Sequence, residues 1–289
     1  MVELESITHE YDPGLGKSKI KVLDNVTFSI PEGKITGFLG VNGAGKTTCI
    51  KILLKLIMPS KGTVSYTGIL ADNQLNINSY IGYMPERAYY YPYLTGEEFI
   101  FYMGELSKLK RLEIKAKMEY WRDRVNLSSD SLKRQIRTYS KGMLQRLGLL
   151  VTVLHDPLLI ILDEPASGLD PIGRRDIKHL LLEFKNARKT ILFTSHIISD
   201  IESIADRVIV LKDKKIIESG DISKILNHEC NGRSFISGID RNSASIQKEI
   251  ATELVQVEIE KMIKENIKII SVVPIQKSLE EILFSTKGD

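Results

Sequence analysis

The stretch Gly40 to Thr47, GVNGAGKT, constrains the fold of this 289-residue chain more than any other. It fills the pattern GxxxxGK[ST] and stands between an apolar run, KITGFL, and a segment whose apolar positions Ile50, Leu53, Leu54 and Ile57 recur at helical spacing. Glycines allow a turn so tight that successive backbone N–H groups converge on phosphate oxygens, and the positive end of the following helix strengthens the attraction. Such a loop needs a strand that feeds directly into a helix, with Lys46 contacting the β and γ phosphates and Thr47 holding magnesium. Pro59 is expected to stop the helix.

The remaining chain supplies the sheet that such a unit requires. IKVLDNVTFSI and KITGFL read as two strands joined by the turn PEGK. Residues 95 to 155 are helical and charge-rich, opened by a capping box of Thr95 and Glu98. Asp156 and Pro157 break that run, and LLIILDEP follows as a short apolar strand, the pattern of a strand buried on both faces. Asp170 and Pro171 open an amphipathic helix, TILFTSH is another buried strand, Ser199 and Glu202 cap a short helix, and RVIVLKDKKIIESG is a hairpin. Strand and helix alternate, so the core is expected to be α/β with a largely parallel sheet. Beyond about residue 228, CNGRSFISGIDRNSAS reads as a polar, turn-rich linker. A helix near 255 to 265, the strand IKIISVV and a last helix around SLEEIL then form a small α+β appendage, so the expected domains are 1–228 and 229–289.

Charge and cysteine content exclude some functions. A formal charge of +3 is too small for this length to argue for nucleic acid. The start MVELESITHEYD lacks the pattern of a secretory signal, and no stretch offers the roughly 18 uninterrupted apolar residues of a membrane span, so a cytoplasmic location is expected. Cys49 and Cys230 have neither CxxC nor Cys/His spacing and read as reduced packing residues.

The strand LLIILDEP ends in two carboxylates at the edge of the sheet where ligands bind in open α/β folds. Asp163 there can hold magnesium through water, and Glu164 can orient or deprotonate an attacking water. His196, ending TILFTSH, is placed to reach a γ-phosphate from a neighbouring strand; an ordinary hydrogen-bonded histidine is the alternative.

Taken in order, GVNGAGKT, IGYMPER, YSKGMLQR, LLIILDEP, SGLDP and FTSH resemble the ATP-binding subunits of ABC transporters, over about residues 2 to 225. The resemblance implies a P-loop NTPase core, an N-terminal antiparallel β subdomain, an inserted helical subdomain and an ATPase using ATP and Mg2+. It further implies that two subunits, as homodimer or heterodimer, sandwich two ATP molecules and drive separate transmembrane permease subunits. The chain would then be peripheral on the inner face of the cell membrane, with no nucleic acid partner. Carried over by residue, the nucleotide lies on Gly40, Val41, Asn42, Gly43, Ala44, Gly45, Lys46, Thr47 and Thr48, with Tyr11 stacking on adenine. Ser140 and Gly142 face the other subunit's γ-phosphate, Asp170 lies in the loop crossing the interface, and Lys46, Glu164 and His196 are catalytic. Thr47, Asp163 and Glu86 are the residues on the magnesium side.

Two positions depart from the family pattern. Glu86 stands where a glutamine is common, and the segment YSKGM replaces LSGGQ, so that Lys141 and Met143 take the places of a glycine and a glutamine. Both departures are similar to those of the subfamily serving ABC-2 type exporters, as is the tail IISVVPIQKSLEEIL. YYYPYL, residues 89 to 94, reads either as the floor of a groove for the membrane partner or as packing for the helical subdomain. The alternatives in function are a soluble ABC ATPase acting on ribosomes or DNA, and a low-turnover ATP-dependent binding or immunity module. A single cassette without sustained heptads weighs against the first, and intact Glu164 and His196 weigh against the second.

Overall fold

The computed structural model describes residues 2–14, 18–228, 232–240, 245–274 and 279–280; Cys230 and most of the SLEEIL segment lie outside them. The chain divides into two compact units, Met1–Gly220 and Asp221–Asp289.

In the first unit β1 (Val2–Tyr11) and β2 (Ile20–Ile30) pair antiparallel, and PEGK turns the chain into β3 (Ile35–Leu39), buried along its whole length. The phosphate loop leads from β3 into α1 (Lys46–Leu53), and β4 (Lys61–Tyr66) returns to β1, giving a three-stranded sheet in the order β2-β1-β4. Pro59 is not what ends α1. Lys55 takes a left-handed φ of 56°, and the N–H groups of Lys55 and Leu56 donate to the carbonyls of Ile52 and Lys51. That is a Schellman closure, made here without glycine.

After α2 (Ile69–Asp72) and β5 (Ile81–Met84), the helices α3 (Gly96–Leu106), α4 (Arg111–Arg124), α5 (Ser129–Leu132) and α6 (Lys141–Val153) form the inserted helical part. The expected capping box opens α3: Thr95 Oγ1 accepts the Glu98 N–H, and Glu98 accepts the Thr95 N–H at 2.7 Å. The chain then re-enters the sheet through β6 (Leu159–Leu162), α7 (Pro171–Asn186), β7 (Thr190–Ser195), α8 (Ile198–Ile204), β8 (Arg207–Lys212) and β9 (Lys215–Asp221). Asp170 caps α7 by accepting the Gly173 N–H, with Pro171 at the first helical position. α8 begins one residue before Ser199, so Ser199 and Glu202 do not cap it; Ser195 Oγ accepts the Ile197 N–H instead.

The central sheet runs β5-β6-β7-β3-β8-β9, with parallel pairing from β5 to β8 and a hairpin between β8 and β9 turning at Asp213 and Lys214, both at positive φ. All four residues of β6 and all six of β7 are buried, as expected where helices cover both faces. Parallel pairing brings the carboxyl ends of β6, β7 and β3 to one edge: Leu39 is level with Ser195, and Leu162 with Phe193. Gly40, Asp163 and His196 each leave the sheet from that edge.

The second unit contains α9 (Ile222–His228), β10 (Arg233–Ile239), β11 (Ser245–Ala251), α10 (Val255–Lys264) and β12 (Lys268–Pro274). Its strands form an antiparallel sheet, β11-β10-β12, closed by Ile236, Met262 and Ile267. Half of the segment expected to be a linker is therefore β10 and the first residue of β11. Ser234 and Gly238 sit on its buried face, where a sequence pattern looks for larger apolar groups.

Candidate active site

The phosphate loop is glycine-rich for reasons visible around it. A Cβ on Gly40 would stand 2.6 Å from the Leu211 carbonyl oxygen. Gly45 adopts φ 113°, and a Cβ there would meet Leu23 at 2.7 Å. The loop thus passes too close to β2 and β8 for any side chain at these points. It lines an open cavity of about 330 Å3 together with Val22, Glu86, Asp163 and Glu164.

Lys46 is 7% exposed, and its Nζ donates to the carbonyls of Gly40 at 2.5 Å and Val41 at 3.4 Å. Burial pulls its pKa below the ordinary lysine value, while the carboxylates of Glu164, Asp163 and Glu86 act to restore it. A lysine fixed to loop carbonyls under three acidic side chains is a cation held ready for an anionic ligand. Tyr11 is partly exposed at the end of β1, its Oη 3.4 Å from Thr48 Oγ1 and its ring edge-on to His9.

Asp163 and Glu164 follow β6 and are tied to β7 through one hydroxyl. Thr194 Oγ1 donates to Asp163 Oδ1 at 2.7 Å and accepts the Glu164 N–H at 2.8 Å. From the other side Thr47 Oγ1 donates to Asp163 Oδ2 at 3.2 Å. Glu164 has φ 53°, a left-handed conformation uncommon for a residue with a Cβ. The hydrogen bonds around it hold it there: besides Thr194, Gln145 Nε2 reaches across from α6 to the carbonyls of Glu164, at 3.2 Å, and Pro165, at 2.7 Å.

His196 Nδ1 lies 2.8 Å from Glu164 Oε2, so in this arrangement the histidine meets the carboxylate itself. The second carboxylate oxygen, Oε1, is buried and makes no hydrogen bond among the described residues. Sequence patterns had not singled out Val22, Gln145 or Thr194. The last two had a signal: each is a polar side chain on a face that is otherwise buried and apolar, and such groups need partners.

Ser140, Gly142 and Asp170 do not line the phosphate-loop cavity. Ser140 caps α6, its Oγ accepting the Met143 N–H at 3.3 Å, and a Cβ on Gly142 would meet Leu169 at 3.4 Å, an ordinary contact. Lys141 is exposed, and its stem lies over Gly168, whose Cβ position it would occupy. The segments YSKGM and SGLDP are therefore packed against each other, away from this chain's own phosphate loop.

Comparison with known proteins places the chain in a family. The family model described as ABC transporter matches residues 23–167. An ABC transporter ATP-binding protein of Synechocystis sp. is 38% identical over 232 residues, covering 79% of this chain and 65% of the relative, just under two thirds of its length. The bacitracin transport ATP-binding protein of Enterococcus faecalis is 36% identical over 227 residues, 78% of this chain and 70% of the relative. The solved structure of an ATP-binding subunit of an ABC transporter has a TM-score of 0.69 at 28% identity, covering 79% of this chain and 92% of that one. Motif order, sheet topology and relatives agree, and the chain belongs to the ABC transporter family, among its ATP-binding subunits.

Proposed function

We propose that this chain binds and hydrolyses ATP as one of two ATP-binding subunits joined head to tail, and that the pair drives separate membrane-spanning permease subunits, in export. The observation that carries the chemistry is Glu164. One carboxylate oxygen is engaged by His196, the other is buried without a partner, and the residue borders the phosphate-loop cavity. The Glu164 carboxylate takes a proton from water as the water oxygen attacks the γ-phosphorus; the bond to the β,γ-bridging oxygen breaks, and ADP leaves with its electron pair. The protein contributes position and charge, which is most of what phosphoryl transfer needs.

The residues fit a magnesium ion held jointly with phosphate oxygens. Thr47 and Asp163 are already in contact, and Glu86 borders the same cavity. Among the described residues no three acidic, His or Cys side chains cluster as a self-sufficient cage, which suits a cation that takes one or two protein oxygens and completes its shell from phosphates and water. When bound, the ion would neutralise charge on the β and γ phosphates.

The pairing is supported by what the cavity lacks. Ser140, Gly142 and Asp170 lie apart from it, so if they serve a nucleotide they serve that of a second subunit. For the permease, no helix among the described residues is long and apolar enough to cross a membrane, so a spanning partner would be a different segment or chain. The aromatic run after Glu86 offers it a surface. Tyr90 is anchored through its hydroxyl to the Leu144 carbonyl at 2.7 Å, whereas Tyr89 and Tyr93 are exposed.

The deciding experiment is Glu164→Gln, which keeps shape and removes the base. Turnover is expected to fall at least about 10²-fold, with ATP still bound and an ATP-dependent dimer visible by size. Unchanged hydrolysis would remove Glu164 from the mechanism.

A further inference from the structure

Behind Glu164 and His196, on the side away from the phosphate loop, a small cavity is enclosed by α7, β7 and α8, with Ile177, Leu181, Phe193 and Ile204 among its walls. An ion pair joins two of its walls. Lys178 Nζ, on α7, lies 2.7 Å from Asp200 Oδ1, on α8. Asp200 is 7% exposed, and its Oδ2 is buried without a hydrogen bond among the described residues.

An ion pair whose carboxylate is buried and whose lysine is only partly exposed is a costly way to join two helices, since apolar residues of similar volume commonly do so as well or better. What it adds is direction: a charge pair fixes one relative position of its helices, while an apolar contact tolerates sliding. The helices it joins are the two that leave the catalytic residues. α7 follows Glu164 through the turn capped by Asp170, and α8 follows His196 after a single intervening residue. The Asp200 N–H donates to the Ile197 carbonyl at 3.2 Å, and the Ile197 N–H donates to Ser195 Oγ at 3.0 Å. A shift of Asp200 is therefore passed through hydrogen-bonded backbone to the residues on either side of His196.

We propose that Lys178 and Asp200 are a positioning pair for ATP hydrolysis, clamping α7 to α8 and thereby holding His196 Nδ1 against Glu164 Oε2. Neither residue borders the phosphate-loop cavity, so the pair acts on turnover and leaves nucleotide binding alone. This rests on the ATPase reading above and adds to it the device that aligns the base with its histidine.

The test uses the full chain and four variants. Lys178→Met and Asp200→Asn each lower kcat by about tenfold while ATP affinity stays within about twofold, the pattern of an interaction lost in the transition state only. Lys178→Arg, which keeps the charge, recovers most of the rate. In a His196→Ala background Lys178→Met has no further effect on kcat, because the clamp acts through that histidine. If Lys178→Met fails to fold, Asp200→Asn carries the same expectations. A second readout needs no turnover: in histidine-labelled protein the ring nitrogen shifts of His196 move in Lys178→Met or Asp200→Asn. The proposal is overturned by a kcat within about twofold of wild type, by equal losses of kcat and ATP affinity, by an undiminished effect in the His196→Ala background, or by unmoved ring shifts. A wild-type chain that fails to hydrolyse ATP would instead refute the proposed function, with the ring shifts still reporting on the clamp.

Discussion

Thr194→Val isolates the hydroxyl that joins the two carboxylates proposed for catalysis, Asp163 and Glu164, to the sheet. Valine has nearly the same shape, so no cavity opens at this fully buried position, and the loss is polar. The Glu164 N–H loses its acceptor at 2.8 Å, and Asp163 Oδ1 loses its donor at 2.7 Å. An orphaned buried N–H costs about 1–3 kcal/mol, and a hydrogen bond to a charged group contributes about 1.5–3 kcal/mol. Asp163 keeps Thr47 on its other oxygen, which places the second figure at its lower end. A gained methyl offsets about 0.8 kcal/mol. The net loss is then roughly 2–4 kcal/mol, or about 4–15 °C in melting temperature for a unit of this size. Glu164 also loses one of the bonds holding it at φ 53°, so turnover should fall by about tenfold as its carboxylate wanders. Scanning calorimetry and an ATP hydrolysis assay measure both, with Thr194→Ser as the control that keeps the hydroxyl. A Thr194→Val protein melting within about 1 °C of wild type would show that the bridge does not secure the carboxylates.

Lys141→Gly tests the departure in the signature segment. Its stem lies over Gly168 and it occupies the first turn of α6, so the expected outcome is a stability loss of about 1 kcal/mol in urea unfolding, with the single chain's ATP affinity unchanged; a clear loss of affinity would put the charge at a phosphate. His155 gives a pH effect. Burial holds its pKa below the ordinary histidine value, against the opposing hydrogen bond in which the Ile81 carbonyl accepts from its Nε2. The folded state therefore binds fewer protons than the unfolded one below the unfolded pKa, so stability declines as pH falls through that value and levels off once the folded pKa is passed. Urea midpoints between about pH 5 and 7.5 should show that slope, and His155→Gln should flatten it.

The sequence carried the parts of the site that backbone geometry dictates. A loop that must bring N–H groups onto phosphates has almost no freedom in residue type, so Gly40 to Thr47 was legible at once, and the same holds for two carboxylates that end an apolar strand. Thr194 was hidden because a threonine inside TILFTSH is also an ordinary β-branched strand residue; only the register that sets β7 beside β6 shows which neighbours its hydroxyl serves. Gln145 was hidden for a similar reason, since its partners, the carbonyls of Glu164 and Pro165, are about twenty residues away in sequence. The end of α1 was misread because a left-handed lysine gives no pattern comparable to a proline. β10 was misread because a strand whose inward positions include Ser234 and Gly238 does not alternate in hydrophobicity as a half-buried strand should.

The two halves of the chemistry are built differently, and the difference bears on how such a subunit would be controlled. The hydrolytic half is assembled within one chain: Thr47, Asp163, Thr194, Glu164 and His196 form a continuous series of hydrogen bonds spanning the phosphate loop, β6 and β7. The signature half is also folded, with Ser140 capping α6 and Asp170 capping α7, but those caps use their side-chain oxygens locally, on Met143 and Gly173. Neither needs the nucleotide in order to fold. On the proposed function, a chain of this kind carries its base aligned and its signature preformed while the two stay apart, and closing a second subunit over the phosphates would be the step that completes the site. In the proposed pair, control would rest on the association of subunits, where a membrane partner touching the exposed tyrosines near Glu86 could act, since the order of the residues proposed for catalysis is already set by the fold.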